Sequence, residues 1–497
     1  MEIIAALLPI AGIFLLLFVL KQSSAAAGLV SFVAAAFIAA AAPYFALNAA
    51  SFFNAAFEGF LLTVMVAYVL LFGIWLFHLM NEAGIIQTIA SHISESTSDP
   101  ARQALLLVIA FSPLVESVSG FGIAVIVIAP ILIALGFPRF KAAVLALVSL
   151  TAVPWGALST GSVIGANLTG ISIHSLGAGT ALLSIPVFFY FTLITVFIAG
   201  GWKDLRKKWF EMIAVAIALS WAIWFFSKYI SVELAGVFAS LAALAVEMLF
   251  VRFAETRQKH AARPAAAQAE AKNSLLKALS PYLLLTALLF FSRLVPFASD
   301  WLQSNAVVRI EKYAFEWPLL YSPGFFLLLT CLFAIALFKL NRSLIQKSIV
   351  ETMKQWIPVN VSMFGFVAMA QVMSYSGMTH LLAETGAEKL GGAFVLLSPI
   401  IGAIGGFLTG SNTGSNAMFI KLQVQTANLL NLPPELVANS QNASAGHVTM
   451  ASPSRVLLSA AVSGIRHEES NLLKLLAKIA GVALLFVIIA TLVASLF

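Results

Sequence analysis

Two short clusters of glycine, hydroxyl and amide residues, each set inside a long apolar segment, hold most of the chemically capable side chains in this sequence. The first reads Val115-Glu-Ser-Val-Ser-Gly-Phe-Gly122 and the second Thr409-Gly-Ser-Asn-Thr-Gly-Ser-Asn416. Glycine permits a sharp turn, and a helix starting just after the turn points its free N–H groups at it. Ser117, Ser119, Ser411, Asn412, Thr413, Ser415 and Asn416 add donors suited to a carboxylate, and Gly120, Gly122 and Gly414 leave room for it. A tight loop outside the membrane is the plainer reading of each cluster. Glu116 is the one acidic residue at either tip. Desolvation favours the protonated form of a carboxyl group, which suits a proton carrier; a structural ion pair across the bundle is the alternative.

A second pair of polar stretches follows. Ser149-Leu-Thr-Ala-Val-Pro-Trp-Gly156 contains Thr151, Pro154, Trp155 and Gly156 and continues to Ser159, Thr160 and Ser162. Its counterpart runs from Asn442 to Arg455 and contains His447, Thr449, Ser452 and Pro453. Each proline removes a backbone donor and clashes with the preceding turn, so each stretch reads as a helix break. A break leaves carbonyl and N–H groups free for an ion or substrate, although a packing kink needs no such role. Arg455 either grips a carboxylate with its two-pronged guanidinium or snorkels to the cytoplasmic face. His447 either titrates near neutral pH or is a packed, hydrogen-bonded ring. Glu58 and Glu247 lie nearer span ends and read as structural.

The elements that must position these residues are membrane helices. Of 497 residues, 61% are hydrophobic and 10% charged, against about 25% charged in a soluble domain. About twelve spans are expected, at residues 3–20, 24–46, 57–80, 139–166, 176–200, 209–228, 232–252, 274–297, 322–340, 356–376, 434–463 and 473–496. The first run, Ile3 to Leu20, has no small-residue cleavage site after it and reads as a span. The polar stretch from Arg252 to Asn273 reads as a linker, and Cys331 as a packing residue. The formal charge of +7 is concentrated in short segments: Lys203 to Lys208, Arg252 to Lys277, and Lys339 to Lys354. That is the signature of cytoplasmic loops rather than of nucleic-acid binding. All three fall on one side only if segments 102–134 and 391–430 are re-entrant hairpins, which puts both termini outside.

Met80-Asn-Glu-Ala-Gly84 resembles Met373-Ser-Tyr-Ser-Gly377, and Leu135-Gly-Phe-Pro138 resembles Leu430-Asn-Leu-Pro433. The fold class expected is therefore an all-α polytopic membrane protein, with two re-entrant hairpins in an inverted repeat. Residues 1–200 form the first repeat, 201–273 the connecting helices and basic loops, and 274–497 the second repeat. Inverted repeats with interrupted helices are a secondary-transporter architecture, with the site near the midplane.

The stretches Glu116 to Gly122 and Phe407 to Ala417, with Met450-Ala-Ser-Pro453, resemble the signature segments of the bacterial L-lactate permeases. The resemblance runs from about residue 57 to the end and is weaker in the basic middle third. It implies proton-coupled symport of L-lactate or a related 2-hydroxy monocarboxylate such as glycolate at the inner membrane. Ser411-Asn-Thr413 is also similar to the tip triplet of the dicarboxylate symporters, which implies an ion-transporter-type fold and keeps sodium coupling open. Asn412 stands where the family pattern has an acid, and Thr449 where it has a lysine ahead of Met-x-Ser-Pro. The partners implied are a small organic anion, a coupling proton or sodium ion, membrane lipid and, compatibly, a second copy in a homodimer. No H-E-x-x-H motif and no G-K-[ST] phosphate loop occur, so no metal, cofactor, ATP-driven pumping or enzymatic activity is expected. An anion channel is the remaining alternative.

Overall fold

The computed structural model describes residues 2–94, 96–257 and 265–496. The first quarter holds α1 (Glu2–Phe14, extended by a π-helical turn Leu15–Val19), α2 (Ser24–Ala41), α3 (Ala49–Glu82) and α4 (Ile85–Ser94). Next come α5 (Pro100–Ala104), a π-helical stretch Leu105–Phe111, α6 (Ser112–Ser119), α7 (Ile123–Ala134), α8 (Arg139–Val148) and α9 (Gly156–Thr169). The middle holds α10 (Ile173–Lys207), α11 (Trp209–Tyr229), α12 (Val232–Arg257), α13 (Ala265–Leu294) and α14 (Pro296–Ser304). An antiparallel ribbon of β1 (Val307–Ile310) and β2 (Phe315–Pro318) pairs Val308 with Trp317 and Arg309 with Glu316. Then follow α15 (Pro323–Phe338), α16 (Arg342–Tyr375), α17 (Met378–Leu390), α18 (Phe394–Thr409), α19 (Asn412–Leu429), α20 (Pro434–Val448), α21 (Pro453–Val462) and α22 (Glu469–Ala494). By length and composition, eleven helices among the described residues are apolar enough to cross a membrane. The pair around the break after Val148, bent by 59°, would make a twelfth. The chain is an all-α multi-pass membrane protein with one small ribbon added.

Several expected boundaries move. Span 57–80 is α3, which begins at Ala49 because Asn48 caps it, accepting from Ser51 N at 2.8 Å. Span 356–376 is α16, which begins at Arg342 under an equivalent cap, Asn341 accepting from Leu344 N at 2.8 Å. Both ends of α3 precede those of α16 by 293 residues (342 − 49 and 375 − 82). Two of the basic loops are thus helix ends: Lys347 and Lys354 lie on α16, and Lys203, Arg206 and Lys207 on α10. Lysine and arginine are good helix formers, so a helix does not stop where the hydrocarbon does. The expected linker 252–273 is helical up to Arg257 and from Ala265, and its centre lies outside the described residues. Helices α4 and α17 were not foreseen, being too short and polar to read as spans; each follows a left-handed glycine, Gly84 or Gly377.

The two interrupted segments reverse direction. Gly120, Phe121 and Gly122 have φ of 69°, 56° and 78°, and α7 then runs back along α6. At 12 residues α7 is about 18 Å long, short of a ~30 Å hydrocarbon core. The helical stretch before the turn is 94% buried inside the protein rather than facing lipid. Helices α18 and α19 pack on each other in the same way, joined at Gly410, φ 63°.

Small residues let the long helices approach. A Cβ on Gly365 of α16 would lie 2.4 Å from the Gly28 carbonyl carbon of α2, and one on Gly59 of α3 would lie 2.8 Å from Ala368 Cα. Backbone cannot yield as a side chain does. Gly365→Ala is therefore expected to cost roughly 1–3 kcal/mol, read as a lower unfolding midpoint in detergent. At another end of the bundle, Arg102 holds Glu211 through two bonds of 2.8 and 3.0 Å, and Lys208 holds Asp99. Burial alone would raise the Asp99 carboxyl, but the bond and charge of Lys208, with the Arg102 amide and charge, together outweigh it and hold the group below its ordinary value. Glu247 lies within electrostatic reach of this cluster.

Candidate functional site

Both hairpin tips and both helix breaks meet at one small cavity. It is lined by Glu116, Gly120 and Phe121 from the first tip, Ser411, Asn412 and Thr413 from the second, Val153, Gly156, Ala157, Thr160 and Gly161 from the first break, and Arg455 from α21. At about 20 Å³ it holds little more than a water molecule. Phe121, Ser411, Thr413 and Arg455 are shared with a cavity of about 390 Å³ that runs past Gly414, Ser454 and Met363 to Lys354 and Ser23. Thr160 is shared with a third cavity, about 160 Å³, lined by Arg293, Glu233, Trp317 and Tyr321. Between the two larger cavities, Thr160 and Thr413 bridge the chain halves, hydroxyl to hydroxyl, at 3.3 Å.

The charges at the centre are one of each sign. Glu116 is 1% exposed, and its Oε1 accepts from Gly122 N at 3.1 Å, capping α7. Arg455 lies across the cavity, with Nη1 3.9 Å from the same oxygen, within ion-pair range but beyond hydrogen-bond length. Its Nε donates to Gly410 O at 2.8 Å, which ties α21 to the second tip. Its shaft crosses Gly122, where a Cβ would sit 3.4 Å from Nε. The buried atoms without a hydrogen-bond partner among the described residues include Glu116 Oε2, Arg455 Nη1 and Asn412 Oδ1. All three belong to residues lining the small cavity. One donor and two acceptors left unsatisfied around one cavity are the groups that a small polar ligand would satisfy.

The breaks are built from strained backbone and packed prolines. Pro154 lies in a 3₁₀ turn, Val153–Trp155, and packs so close to Gly446 that a Cβ there would meet its ring at 2.5 Å. Beyond it, Ala157, Leu158 and Ser159 have φ of 48°, 52° and 60°. A non-glycine residue in this region costs about 1–2 kcal/mol, and such strain persists where surrounding contacts enforce it. Two contacts do so here: Gly120 presses on Ala157, and Ser159 Oγ donates to Val232 O at 2.7 Å. In the other half, Pro453 opens α21 just after a 3₁₀ turn, Thr449–Ala451.

A buried amide network backs the second tip. Asn442 Oδ1 accepts from Asn412 Nδ2 and Asn416 Nδ2, both at 2.8 Å, and Asn416 also donates to Gly161 O at 3.0 Å. Ser415 Oγ donates to Gly402 O at 3.0 Å and accepts from Gln441 at 2.9 Å. Ser411 caps α19 by accepting from Gly414 N at 3.1 Å.

The remaining expected residues stand further back. Ser117 packs on Gly236 of α12, and Ser119 Oγ donates to Val115 O at 2.6 Å. Thr151 and Thr449 bond to nearby backbone carbonyls, and Ser452 to Ser454 at 3.1 Å. Trp155 donates to Ser227 at 3.0 Å. His447 is fully buried against α10, with Nε2 2.8 Å from Ser184 Oγ and edge-on contacts to Phe188 and Phe191. It lines none of the three cavities. Glu58 accepts from Gln371 at 3.1 Å and from the Tyr375 hydroxyl. Gly161 and Asn442 were not singled out from sequence, although the run Asn439-Ser-Gln-Asn442 in a buried helix carries the signal.

The chain is similar to known permeases along most of its length. An L-lactate permease of Streptococcus iniae is 28% identical over 383 residues, covering 75% of this chain and 80% of that one. The glycolate permease GlcA of Escherichia coli is 27% identical over 522 aligned positions, covering 95% and 91%. The crystal structure of the Alcanivorax borkumensis YdaH transporter superposes with a TM-score of 0.47 at 14% identity, covering 85% and 84%. The curated relatives are permeases, transporters rather than enzymes. The family model for L-lactate permease matches residues 2–318 and 309–497, and this chain therefore belongs to the L-lactate permease family.

Proposed function

We propose that this chain is a proton-coupled symporter of L-lactate or a related small 2-hydroxy monocarboxylate such as glycolate. The observation that carries the reading is the Glu116–Arg455 pair at the meeting point of both tips, with unpartnered atoms on each side chain. The pair sums to zero charge. A carboxylate accepted by Arg455 brings the site to −1, and a proton on Glu116 returns it to neutrality. Moving an uncompensated charge through a low-dielectric interior is costly, so anion and proton travel together. The names of the relatives supply the substrate class.

The helices recur in order at an offset near 293, from α3 and α16 onward, which supports two inverted repeats related across the cavity. With basic helix ends on the cytoplasmic side of an inner membrane, both termini are outside. The larger cavity, ending at Lys354, then opens inward, and the Thr160–Thr413 contact closes the outward path.

The test is uptake of labelled L-lactate into proteoliposomes under separately imposed proton and sodium gradients. Accumulation driven by the proton gradient alone supports the reading. Accumulation that needs sodium, or unsaturable ionic current, overturns it. Within the same assay, Thr413→Ala is expected to weaken anion binding by roughly 10- to 150-fold through loss of a hydrogen bond to a charged group.

A further inference from the structure

The direction of every hydrogen bond leading to Asn412 can be traced from one backbone carbonyl. Ser162 Oγ donates to Pro154 O at 3.1 Å and so uses its single proton there. Its oxygen is left to accept, and it accepts from Asn442 Nδ2 at 3.0 Å; the same Nδ2 donates to Thr180 Oγ1 at 2.9 Å. Asn442 must then present Oδ1 to the second tip. Asn416 obeys this independently, because its Nδ2 also donates to Gly161 O. Asn412 has no choice left: turning its amide over would set two carbonyl oxygens against each other. Its Oδ1 is thus held as an acceptor, unpartnered, in a residue that is 5% exposed and lines the small cavity with Arg455.

We propose that Asn412 Oδ1, locked in place by Ser162 and Asn442, selects the hydroxyl on the carbon next to the substrate carboxylate. This rests on the carrier reading above and adds the group that discriminates. With the carboxylate on Arg455 Nη1 in the larger cavity, a 2-hydroxy acid extends its O–H, a group about the size of water, into the small cavity toward the waiting oxygen. A 2-oxo acid offers only another acceptor, which repels Oδ1 and leaves it unsatisfied in a buried site. Asn412 is the specificity residue, and Ser162 is a positioning residue that acts through Asn442.

The experiment is equilibrium binding of L-lactate and pyruvate to the purified full-length protein, with the unfolding midpoint of each variant recorded alongside. The wild-type protein is expected to prefer L-lactate by at least ~10-fold. Asn412→Leu, similar in shape and without the acceptor, should bring the ratio to within about twofold by weakening L-lactate and relieving the repulsion of pyruvate. Ser162→Ala, which keeps every substrate contact but removes one of the hydrogen bonds that fix the Asn442 amide, should narrow the ratio in the same direction and decides the matter if the first variant does not fold. Equal wild-type affinities, or an unchanged ratio in folded variants, overturns the assignment while leaving the carrier reading intact. Binding of neither acid to the wild-type protein overturns the carrier reading as well.

Discussion

Glu116→Gln is expected to abolish proton-driven accumulation while exchange of substrate across the membrane continues. The argument is a charge count over the transport cycle. In the wild-type protein the empty site is neutral, because Glu116 and Arg455 cancel, and the site with anion and proton is neutral too. Glutamine keeps a carbonyl oxygen for the Gly122 amide but carries no charge, so the empty site becomes +1 and the loaded site neutral. The loaded carrier still reorients and exchange proceeds; the empty carrier is held back by about 2.5–3.5 kcal/mol, the cost of a charge at membrane depth. Net uptake should therefore fall by about 100-fold, with exchange between labelled and unlabelled L-lactate within a few-fold of normal. Counterflow and pH-jump uptake in the same proteoliposomes read the two quantities. A variant that still accumulates substrate with its usual pH dependence would make Glu116 a structural cap of α7 and nothing more.

Arg455→Ala is the other large effect, and it acts on binding and on stability at once. Its Nε joins α21 to the tip through Gly410 O, and its free Nη1 is the one cationic donor lining the small cavity. Removing it leaves Glu116 buried without a counter-charge, which in comparable buried pairs costs about 3–5 kcal/mol. Anion binding should fall by at least ~100-fold, beyond the loss of one charge-assisted hydrogen bond. Arg455→Lys keeps the charge but has no fork to hold Gly410 and the substrate together, so it should bind weakly and transport poorly. The double variant Arg455→Met with Glu116→Gln separates the two effects. Its unfolding midpoint should recover toward the wild-type value while binding stays absent. Recovery of binding in that variant would show that neither charge meets the substrate.

Much of this was legible in the sequence, for local reasons. A composition this apolar has no aqueous solution, and glycine, serine and asparagine clustered within an apolar run must turn where protein shields them. Proline weakens a helix by removing a donor, and Pro154 and Pro453 lie at the two breaks, whereas Pro186 and Pro358 sit inside continuous helices. Glu116 and Arg455 stood out because an ionised group at membrane depth needs a reason. None of these inferences requires knowing what a residue faces.

What only the tertiary structure decided is which of these residues meet. Glu116 and Arg455 are separated by more than three hundred positions, and their approach depends on α21 crossing the first tip at Gly122. His447 looked as suitable as Arg455, but the rotation of α20 turns its ring to Ser184 and two phenylalanines of α10, away from the cavity. Helix rotation is set by packing on neighbours distant in sequence, such as Pro154 against Gly446, and no local pattern records it. The amide of Asn412 is the sharpest case. Its residue type allows either a donor or an acceptor toward the substrate. The choice is made through Asn442, by a proton that Ser162 gives to the Pro154 carbonyl and by the amide that Asn416 gives to Gly161 O.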